Sequence, residues 1–351
     1  MGTIVTFPKP RQVEILDRED APLAPDEVRV ATLYSGISAG TELTAYRGTN
    51  PYLSRRWNDQ LRLFQSDEGT SMSYPVEGWG YEEVGRICEV GAEVEDLGVG
   101  TIVYGTWGHR SHQVLAADVA RTRILPEGLA PILGIFSHMG AIALNGVLDA
   151  GIGVGETVAV FGLGVPGQLV AQLAKSSGAI VFGVDPIAAR REKALELGAI
   201  DLALDPSDGD VAVTIRGHTA NRGADVSIEV SGVPVALHDA IRATAYSSRV
   251  VALGFFQGEA VGLRLGEEFH HNRVNVVSSQ ISGVAPERSN RWNRERLVRT
   301  GMELQARGVL NLRPLISHVM PYEQAAEAFR MLDEDPSGAL QVVLETEEAR
   351  A

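Results

Sequence analysis

The sequence predicts an α/β protein in which a β-rich domain precedes a doubly wound parallel sheet. The first 125 residues or so consist of short apolar or alternating runs separated by turns rich in Gly, Pro and Asp. From about Pro126, buried strands alternate with helix-length segments, a pattern typical of a parallel sheet covered by helices. A length of 351 residues fits two such domains, each able to bury a core.

Composition limits the classes of function. The chain is 44% hydrophobic and 22% charged, as globular proteins are, and its net charge of −14 opposes binding to nucleic acid or an anionic membrane. The single cysteine, Cys88, excludes an intrachain disulfide and any zinc site with two or more thiolates. No signal-peptide pattern and no run of 18 uncharged apolar residues occur, so we expect a soluble cytoplasmic protein.

In the β-rich part, residues 28–34, 82–90 and 101–107 are predicted strands. The polar segment from about Asn50 to Tyr74 is long for a loop and carries Trp57. Loops of that length usually serve a function, so it is either a lid on the substrate side or a mobile surface insertion.

The later elements set the predicted domain boundaries. We predict helices at residues 131–149, Gly167–Ser177, 187–197, 234–244, 287–307 and Tyr322–Leu332. We predict strands at Val158–Phe161, Ile180–Val184, 225–230, 249–253, 274–280 and Leu340–Glu345. Residues 1–127 then form the β-rich domain, 128–283 the parallel-sheet domain, and 284–351 a segment that returns to the first domain.

A glycine motif predicts a dinucleotide site. Gly162, Gly164 and Gly167 form G-x-G-x-x-G directly after a strand and at the start of a helix, whose free amides can receive a pyrophosphate. Asp185 ends the next strand, where a carboxylate accepts ribose hydroxyls and repels a 2′-phosphate, so NAD is favoured over NADP. Arg190 either stacks near the adenine or faces solvent. The other predicted cofactor contacts are Val165, Pro166, Ser231 and Gly254.

Three segments carry a resemblance to the medium-chain dehydrogenase/reductase family. Residues 36–48 (GISAGTELTAYRG) resemble its G-I-C-G-T-D-L-H-x-Y-x-G segment, and residues 80–91 (GYEEVGRICEVG) resemble its G-H-E-x-x-G-x-V-x-x-V-G segment. Residues 143–167 resemble the approach to its cofactor turn. The resemblance implies a GroES-like catalytic domain, a Rossmann NAD-binding domain and an active site between them.

Zinc-dependent members of that family take a cysteine and a histidine from the first two segments and a third ligand before the cofactor turn. The matching positions here hold Ser38 or Ala39, Tyr81, and Ser137 or His138. Serine and tyrosine hydroxyls are poor substitutes for thiolate and imidazole. The chain is therefore similar to a zinc-free branch that contains bacteriochlorophyllide and cyclitol dehydrogenases, and we predict no metal site.

Without zinc, a side chain must hold or take the proton of the substrate hydroxyl. The resemblance implies five catalytic candidates, which are Tyr81, Glu82, Ser38, Thr41 and His138. Tyr81 and His138 stand at ligand positions, Thr41 matches a hydroxyl residue that relays the proton, and Glu82 could orient or deprotonate. Each has a structural alternative: Tyr81 could fill the space left by zinc, His138 could be a packed core residue, and Ser38 a turn residue.

His109 and His112 have a spacing that suits metal ligands. We place both on a predicted strand, where residues three apart point to opposite faces. Neither is therefore predicted to bind a metal.

Four residues are candidate substrate contacts. His270 follows the last cofactor strands, and Trp57 lies in the long loop. Arg288 and Arg291, at i and i+3 of a predicted helix, could receive a carboxylate or phosphate, although such a charge run is usually a solvated face. These residues suggest an anionic or polyhydroxylated small molecule.

The leading functional hypothesis is a zinc-independent oxidoreductase that transfers hydride between NAD and a secondary alcohol or ketone, in a sugar, cyclitol or similar polar metabolite. The alternatives are an enoyl or quinone reductase, an epimerase or eliminase that retains NAD, and a non-enzymatic NAD(H)-binding protein. Pairing of the apolar edge strand 274–280 across a two-fold axis, as the family does, predicts a homodimer or homotetramer.

Overall fold

The computed structural model describes residues 1–66 and 68–350, and their contacts divide the chain into two units. Unit 1 contains Met1–His138 together with the chain from Ile316 onward, and unit 2 contains Met139–Leu315. The predicted boundaries at residues 127/128 and 283/284 therefore differ from those of the structure. The segment 284–315 belongs to unit 2, because Gly301 lies against Gly140 and the Gln172 side chain accepts the Asn311 N–H at 2.7 Å.

The structure contains the following strands, helices and short turns, in chain order. The strands are β1 (Gly2–Phe7), β2 (Glu14–Arg18), β3 (Glu27–Ile37), β4 (Arg56–Asn58), β5 (Leu63–Gln65), β6 (Val76–Glu77), β7 (Glu83–Val90), β8 (Ile102–Gly105), β9 (His112–Ala116), β10 (Thr157–Phe161), β11 (Ile180–Val184), β12 (Leu202–Leu204), β13 (Ala224–Glu229), β14 (Thr244–Ala252), β15 (Asn275–Ser278), β16 (Ile316–Pro321) and β17 (Gln341–Glu345). The helices are α1 (Ala39–Arg47), α2 (Ala117–Arg121), α3 (Ser137–Ala150), α4 (Val165–Ser176), α5 (Ala188–Glu196), α6 (Val211–His218), α7 (Pro234–Ala243), α8 (Arg294–Ala306), α9 (Ala325–Glu334) and α10 (Glu347–Arg350). Short 3-10 turns are Pro51–Leu53, Pro131–Phe136, Pro286–Arg288, Arg313–Leu315 and Tyr322–Gln324, and Leu265–Phe269 is an irregular π-type turn.

Unit 1 is built on a mixed sheet of order β16-β17-β3-β7-β8, with β9 also paired to β3. The long strand β3 holds the sheet together, since its alternating apolar residues are buried and it pairs with three other strands. The last strand, β17, runs antiparallel to β3 and places Val342 opposite Ile37. The predicted return of the chain to the first domain therefore occurs, but it begins at Ile316.

The segment between Asn50 and Tyr74 contains more structure than the sequence predicted. Strands β4 and β5 form a hairpin in it, and Trp57 packs against Phe64 with ring centroids 5.0 Å apart. Tyr52 contacts the other side of Phe64 at 5.5 Å. Short aromatic hairpins of this kind lack the length that makes a strand visible in a hydrophobicity pattern.

Unit 2 is a doubly wound sheet, as predicted. Its six strands are all parallel and have the order β12-β11-β10-β13-β14-β15. The order reverses between β10 and β13, and ligands of such sheets bind at the carboxyl ends of the strands beside this point. Strand β15 lies at the sheet edge, so self-association through it stays a prediction. Strand β12 and helix α6 were missed because the strand is three residues long and the helix eight.

The predicted arginine-rich helix at 287–307 begins only at Arg294. Asn293 caps it by accepting the Arg296 N–H at 2.8 Å, and Arg288 lies in a separate 3-10 turn. Arg291 follows in an irregular turn. The prediction that Arg288 and Arg291 share a helical face was therefore wrong. The helix begins after its N-cap, Asn293, and both arginines precede that residue.

Residues Pro131–Ala150 form a 20-residue run with a mean hydropathy of 1.5, long and apolar enough by length and composition to cross a membrane. Of its most apolar stretch, 78% is buried within the fold. Buried core helices of soluble proteins have the same composition, so this helix is weak support for a membrane span.

Replacement of Phe329 tests how the core of unit 1 is packed. Its ring is fully buried and lies 5.0 Å from that of Phe7 and 5.8 Å from that of Tyr46. We expect Phe329→Ala to lower the free energy of unfolding by about 3–5 kcal/mol, because the lost apolar contacts leave a cavity. Urea unfolding measures it, with Phe64→Ala, which removes a 41% exposed ring, as a control with a smaller loss. Equal losses in the two variants would contradict this description of the core.

Candidate active site

The glycine turn after β10 is shaped to receive a dinucleotide. Gly162 has a left-handed φ of 95°, and a Cβ there would lie 2.9 Å from Ser231. A Cβ at Gly167 would clash with the Gly162 carbonyl oxygen, so the close approach of helix and strand requires glycine. Helix α4 begins directly at Val165, with Pro166 in its first turn. The turn therefore presents a twelve-residue helix N-terminus to a pyrophosphate.

Asp185 is fixed at the carboxyl end of β11. It is 2% exposed, and its two carboxylate oxygens accept the N–H groups of Leu163 at 2.7 Å and Ile187 at 2.8 Å. Arg190 lies 3.7 Å from the same carboxylate, beside the glycine turn. Arg190 therefore neither faces open solvent nor lies far from the turn: Asp185 holds it in place.

A buried acid missed by the sequence analysis connects two predicted cofactor residues. Glu229 ends β13 and accepts the N–H groups of Ser231 at 2.8 Å and Gly232 at 3.1 Å, and it also binds the Ser231 hydroxyl. Gly254 packs so closely on Gly232 that a side chain there would clash. Burial raises the pKa of Glu229, although these hydrogen bonds oppose the shift. The carboxyl ends of β13 and β14 are thus fixed to each other.

In unit 1, four predicted catalytic side chains lie together. The Ser38 hydroxyl is hydrogen-bonded to the Tyr81 hydroxyl, and Thr41 bonds the same phenol. The ring of His138 meets that of Tyr81 edge to face, with centroids 4.9 Å apart. Ser38 follows β3 and is the N-cap of α1, Tyr81 precedes β7, and His138 lies in the first turn of α3. Their catalytic roles stay predictions.

The environment of Tyr81 favours a protonated phenol. Burial raises the pKa of this hydroxyl, and the nearby Glu82 raises it further, whereas the bonds from Ser38 and Thr41 lower it only in part. A phenol with a raised pKa keeps its proton at neutral pH. Tyr81 is therefore suited to donate a hydrogen bond to an oxygen rather than to abstract a proton.

Glu82 is enclosed by strands β3 and β17. Its Oε2 accepts the Gln341 amide N–H at 3.0 Å and lies against Gly36, and its Oε1 has no hydrogen-bond partner among the described residues. Burial raises the pKa of Glu82 well above its usual value, and the carboxyls of Glu42 and Glu83 raise it further. The orienting and the deprotonating role of Glu82 both stay predictions.

A buried ion pair lies behind Ser38, and the sequence analysis missed it. His109 and Glu42 are both fully buried, with Nε2 and Oε2 2.6 Å apart. The other Glu42 oxygen accepts the Ser38 N–H at 2.9 Å, and His109 Nδ1 contacts the Ser35 hydroxyl at 2.7 Å. His109 lies in the loop before β9, so the argument that it shares a strand with His112 was wrong. No sequence pattern connects positions 42 and 109.

Glu83 extends this network. Its carboxylate accepts the Trp107 N–H at 2.7 Å and the Ser35 hydroxyl at 3.2 Å. Burial raises the pKa of Glu83 to about 7, although His109 lowers it in part. Burial alone would lower the pKa of His109, but Glu42 and Glu83 raise it overall. The Glu83 carboxyl of this network therefore gains or loses its proton close to neutral pH.

The residues at the family's ligand positions do not fit zinc. Ser38 offers a hydroxyl and Tyr81 a phenol whose pKa is raised, which leaves the His138 imidazole as the one good donor. Among residues 1–66 and 68–350, one group of three His, Cys, Asp or Glu has its ligand atoms within 4.8 Å of one another. That group belongs to unit 2.

The four candidate substrate residues are divided between the two units. Trp57 lies in the hairpin of unit 1, and the other three lie in unit 2. His270 is exposed, and Arg291 is exposed in its turn. Burial raises the pKa of Asp149, and a hydrogen bond from Ser279 and the charge of Arg288 lower it in part. Arg288 thus interacts with a carboxylate of its own unit. The geometry gives no support for an anion site that Arg288 and Arg291 share.

The raised pKa of Glu83 predicts a pH-dependent stability. Between its ordinary value of 4.5 and about 7, folded Glu83 holds a proton that the unfolded chain has lost, so the free energy of unfolding falls as pH rises. The slope is about 1.4 kcal/mol per pH unit for one proton. His109, with a raised pKa, acts in the same direction above pH 6.5. Urea unfolding from pH 5 to 8 measures the slope.

Glu83→Gln should flatten this slope, because a neutral amide has no proton to lose. Glu89→Gln, at an exposed position on the same strand, is the control and should keep the wild-type slope. A slope that is unchanged in Glu83→Gln would contradict the assignment of the proton.

Comparison with known proteins places this geometry in a family. The family described as "Zinc-binding dehydrogenase" matches residues 166–296, within unit 2. D-guloside 3-dehydrogenases of Escherichia coli (strain K12) and Shigella flexneri are 33% identical to the chain over 340 residues, which is 95% of this chain and 97% of theirs. Both units are therefore covered by the similarity.

Solved structures show the same fold. The 2R,3R-butanediol dehydrogenase of Bacillus subtilis has a TM-score of 0.78 at 22% identity, over 98% of this chain and 99% of that one. Structures from Sinorhizobium meliloti 1021 and E. coli CFT073, with TM-scores of 0.77 and 0.75 at 23% and 20% identity and the same coverage, contain NADP and NADH respectively. The chain is a medium-chain dehydrogenase and belongs to the zinc-binding dehydrogenase family.

Proposed function

We propose that the protein is an NAD-dependent, zinc-independent dehydrogenase that interconverts a secondary alcohol and a ketone in a sugar, cyclitol or related polar metabolite. The sugar class is supported by the 33% identity to proteins named D-guloside 3-dehydrogenase over nearly the whole chain. The observation that carries zinc independence is the Ser38–Tyr81–His138 cluster, which has hydroxyls where zinc-dependent members have ligands.

The preference for NAD is supported by the fixed carboxylate of Asp185. Each carboxylate oxygen accepts one backbone N–H and retains a further lone pair for a ribose hydroxyl. A 2′-phosphate would meet a buried negative charge there. Arg190 is paired with Asp185 rather than presented for a phosphate.

The side chains of the cluster divide the proton chemistry. NAD, when bound, accepts the hydride from the carbinol carbon. Tyr81 keeps its proton and donates a hydrogen bond to the substrate oxygen, which stabilises the negative charge that develops as the hydroxyl is deprotonated. His138 accepts the hydroxyl proton, and Ser38 and Thr41 orient the phenol through their hydrogen bonds.

No observation favours the alternative functions. The relatives that match nearly the whole chain are named as dehydrogenases, which does not support an enoyl or quinone reductase, an NAD-retaining epimerase or eliminase, or a non-enzymatic NAD(H)-binding protein. A homodimer or homotetramer, and the absence of nucleic-acid and membrane partners, remain part of the proposal.

Tyr81→Phe tests the cluster, because it keeps the ring against His138 and removes only the hydroxyl. We expect kcat/KM with NAD and a panel of methyl glycosides, a D-guloside included, to fall by about 100-fold or more. Tyr52→Phe, in the 3-10 turn Pro51–Leu53, should leave it unchanged. Treatment of the wild-type enzyme with EDTA should also leave kcat unchanged. Full activity in Tyr81→Phe, or loss of activity with EDTA that zinc restores, would refute the proposed mechanism.

Asp185→Asn tests the choice of cofactor, since the amide keeps the size of the side chain and removes its charge. We expect NADH to bind more weakly and the preference for NADH over NADPH to fall by about tenfold. Titration followed by nicotinamide fluorescence measures both. Asp205→Asn, which removes a carboxylate paired with Arg191, is the matched control. A wild-type protein that binds NADPH as tightly as NADH would overturn the assignment.

A further inference from the structure

Helix α7 and the turn Leu265–Phe269 bring one histidine and two glutamates together in unit 2. His238 lies on the helix, and Glu267 and Glu268 lie in the turn. Their ligand atoms are all within 4.8 Å of one another. None of the three is among the predicted cofactor contacts or the catalytic candidates of unit 1, so the proposed dehydrogenase chemistry leaves this cluster unused.

The burial of His238 distinguishes the cluster from an ordinary acidic surface. His238 is 4% exposed, and its Nδ1 has no hydrogen-bond partner among the described residues. Its Nε2 is 3.9 Å from the Glu267 carboxylate. One oxygen of Glu268 is also buried and without a partner. Buried polar atoms without partners are uncommon in folded proteins, and a metal ion could satisfy the Glu268 oxygen. His238 would bind through Nε2, the nitrogen that faces the cluster.

Arg264 already places a positive charge in the cluster. Its Nη2 lies 2.8 Å from His238 Nε2, and its Nε donates to Glu267 at 2.8 Å. Because a guanidinium group can only donate hydrogen bonds, His238 Nε2, which faces it, accepts with its lone pair. A positively charged group therefore already lies between the His238 imidazole and the Glu267 carboxylate, which is the position that a metal ion would take. The Arg264 side chain is 57% exposed and can leave without disturbing the core.

We propose that His238, Glu267 and Glu268 bind one divalent zinc ion, which takes the position of the Arg264 guanidinium. One imidazole and two carboxylates are a zinc donor set, with water as the fourth ligand, whereas magnesium and calcium prefer oxygen alone. Two carboxylates also balance the charge of the ion. Arg242, which contacts Glu268 at 3.4 Å, keeps its pairing with Asp210 when Glu268 turns to the metal.

The ion would connect α7 to the turn that leads into edge strand β15. Glu267 has a non-helical backbone there (φ −97°, ψ −124°), and this irregularity presents its carboxylate beside that of Glu268. An ion held in this way would join two elements of unit 2. It lies in unit 2 on residues unrelated to Ser38, Tyr81 and His138, so its presence would not make the hydride transfer zinc-dependent, and the inference does not rest on the proposed function.

The test uses the full-length protein freed of metal with a chelator. Titration with Co²⁺, followed by its visible absorption, and with Zn²⁺, followed by calorimetry, should show one ion per chain. We expect His238→Gln to weaken binding by at least about 100-fold. Arg264→Ala should tighten it by up to about fivefold, because the competing cation is removed. Zinc should raise the melting temperature of the wild-type protein and not that of His238→Gln.

Two further variants separate the site from folding effects. Glu268→Gln changes a partly exposed side chain and should weaken binding as well, and His218→Gln, at an exposed position on α6, should bind zinc as the wild type does. Activity on the methyl glycoside panel should be unchanged in Glu268→Gln. The site would be overturned if the wild type bound no stoichiometric ion, or if His238→Gln and Glu268→Gln bound zinc as tightly as the wild type does. Weaker binding in Arg264→Ala would also overturn it.

Discussion

The ion pair between Glu42 and His109 is the interaction on which the candidate site of unit 1 depends. Two fully buried charges are stable only when their remaining hydrogen-bonding atoms are satisfied, and here the backbone of Ser38 and the hydroxyl of Ser35 supply those bonds. The pair therefore joins the end of β3, the start of α1 and the loop before β9. Because Ser38 is held by its own N–H, its hydroxyl is directed at Tyr81.

A second constraint is that several carboxyl groups share one water-free space. Glu42, Glu82 and Glu83 are all fully buried, and three neighbouring negative charges there would repel one another. Raised pKa values of Glu82 and Glu83 relieve this repulsion by keeping a proton in the cluster. Burial is also the main cause that raises the pKa of the Tyr81 phenol, and the nearby Glu82 and Glu42 raise it further. The buried acids and the proposed hydrogen-bond donor are therefore parts of one electrostatic arrangement.

The two units differ in the metal-binding chemistry of their side chains. Ser38 and Tyr81 of unit 1 stand at positions that the sequence resemblance assigns to zinc ligands, and their hydroxyls are hydrogen-bonded to each other. In unit 2, His238 and its two glutamates have the donor chemistry that those positions lack. A metal bound to this protein is therefore informative about mechanism only when its position is known.

Local sequence determined the strand–turn–helix around the glycine motif, the parallel order of unit 2 and the place of Asp185, because periodicity and turn glycines act within a few residues. The start of α8, the hairpin at β4 and β5 and the unit boundaries depended on caps, aromatic contacts and packing between distant segments. Likewise, only the tertiary structure brought His109 to Glu42, and His238 to Glu267 and Glu268. Burial and pairing across many residues are set by the whole fold, and no local pattern records them.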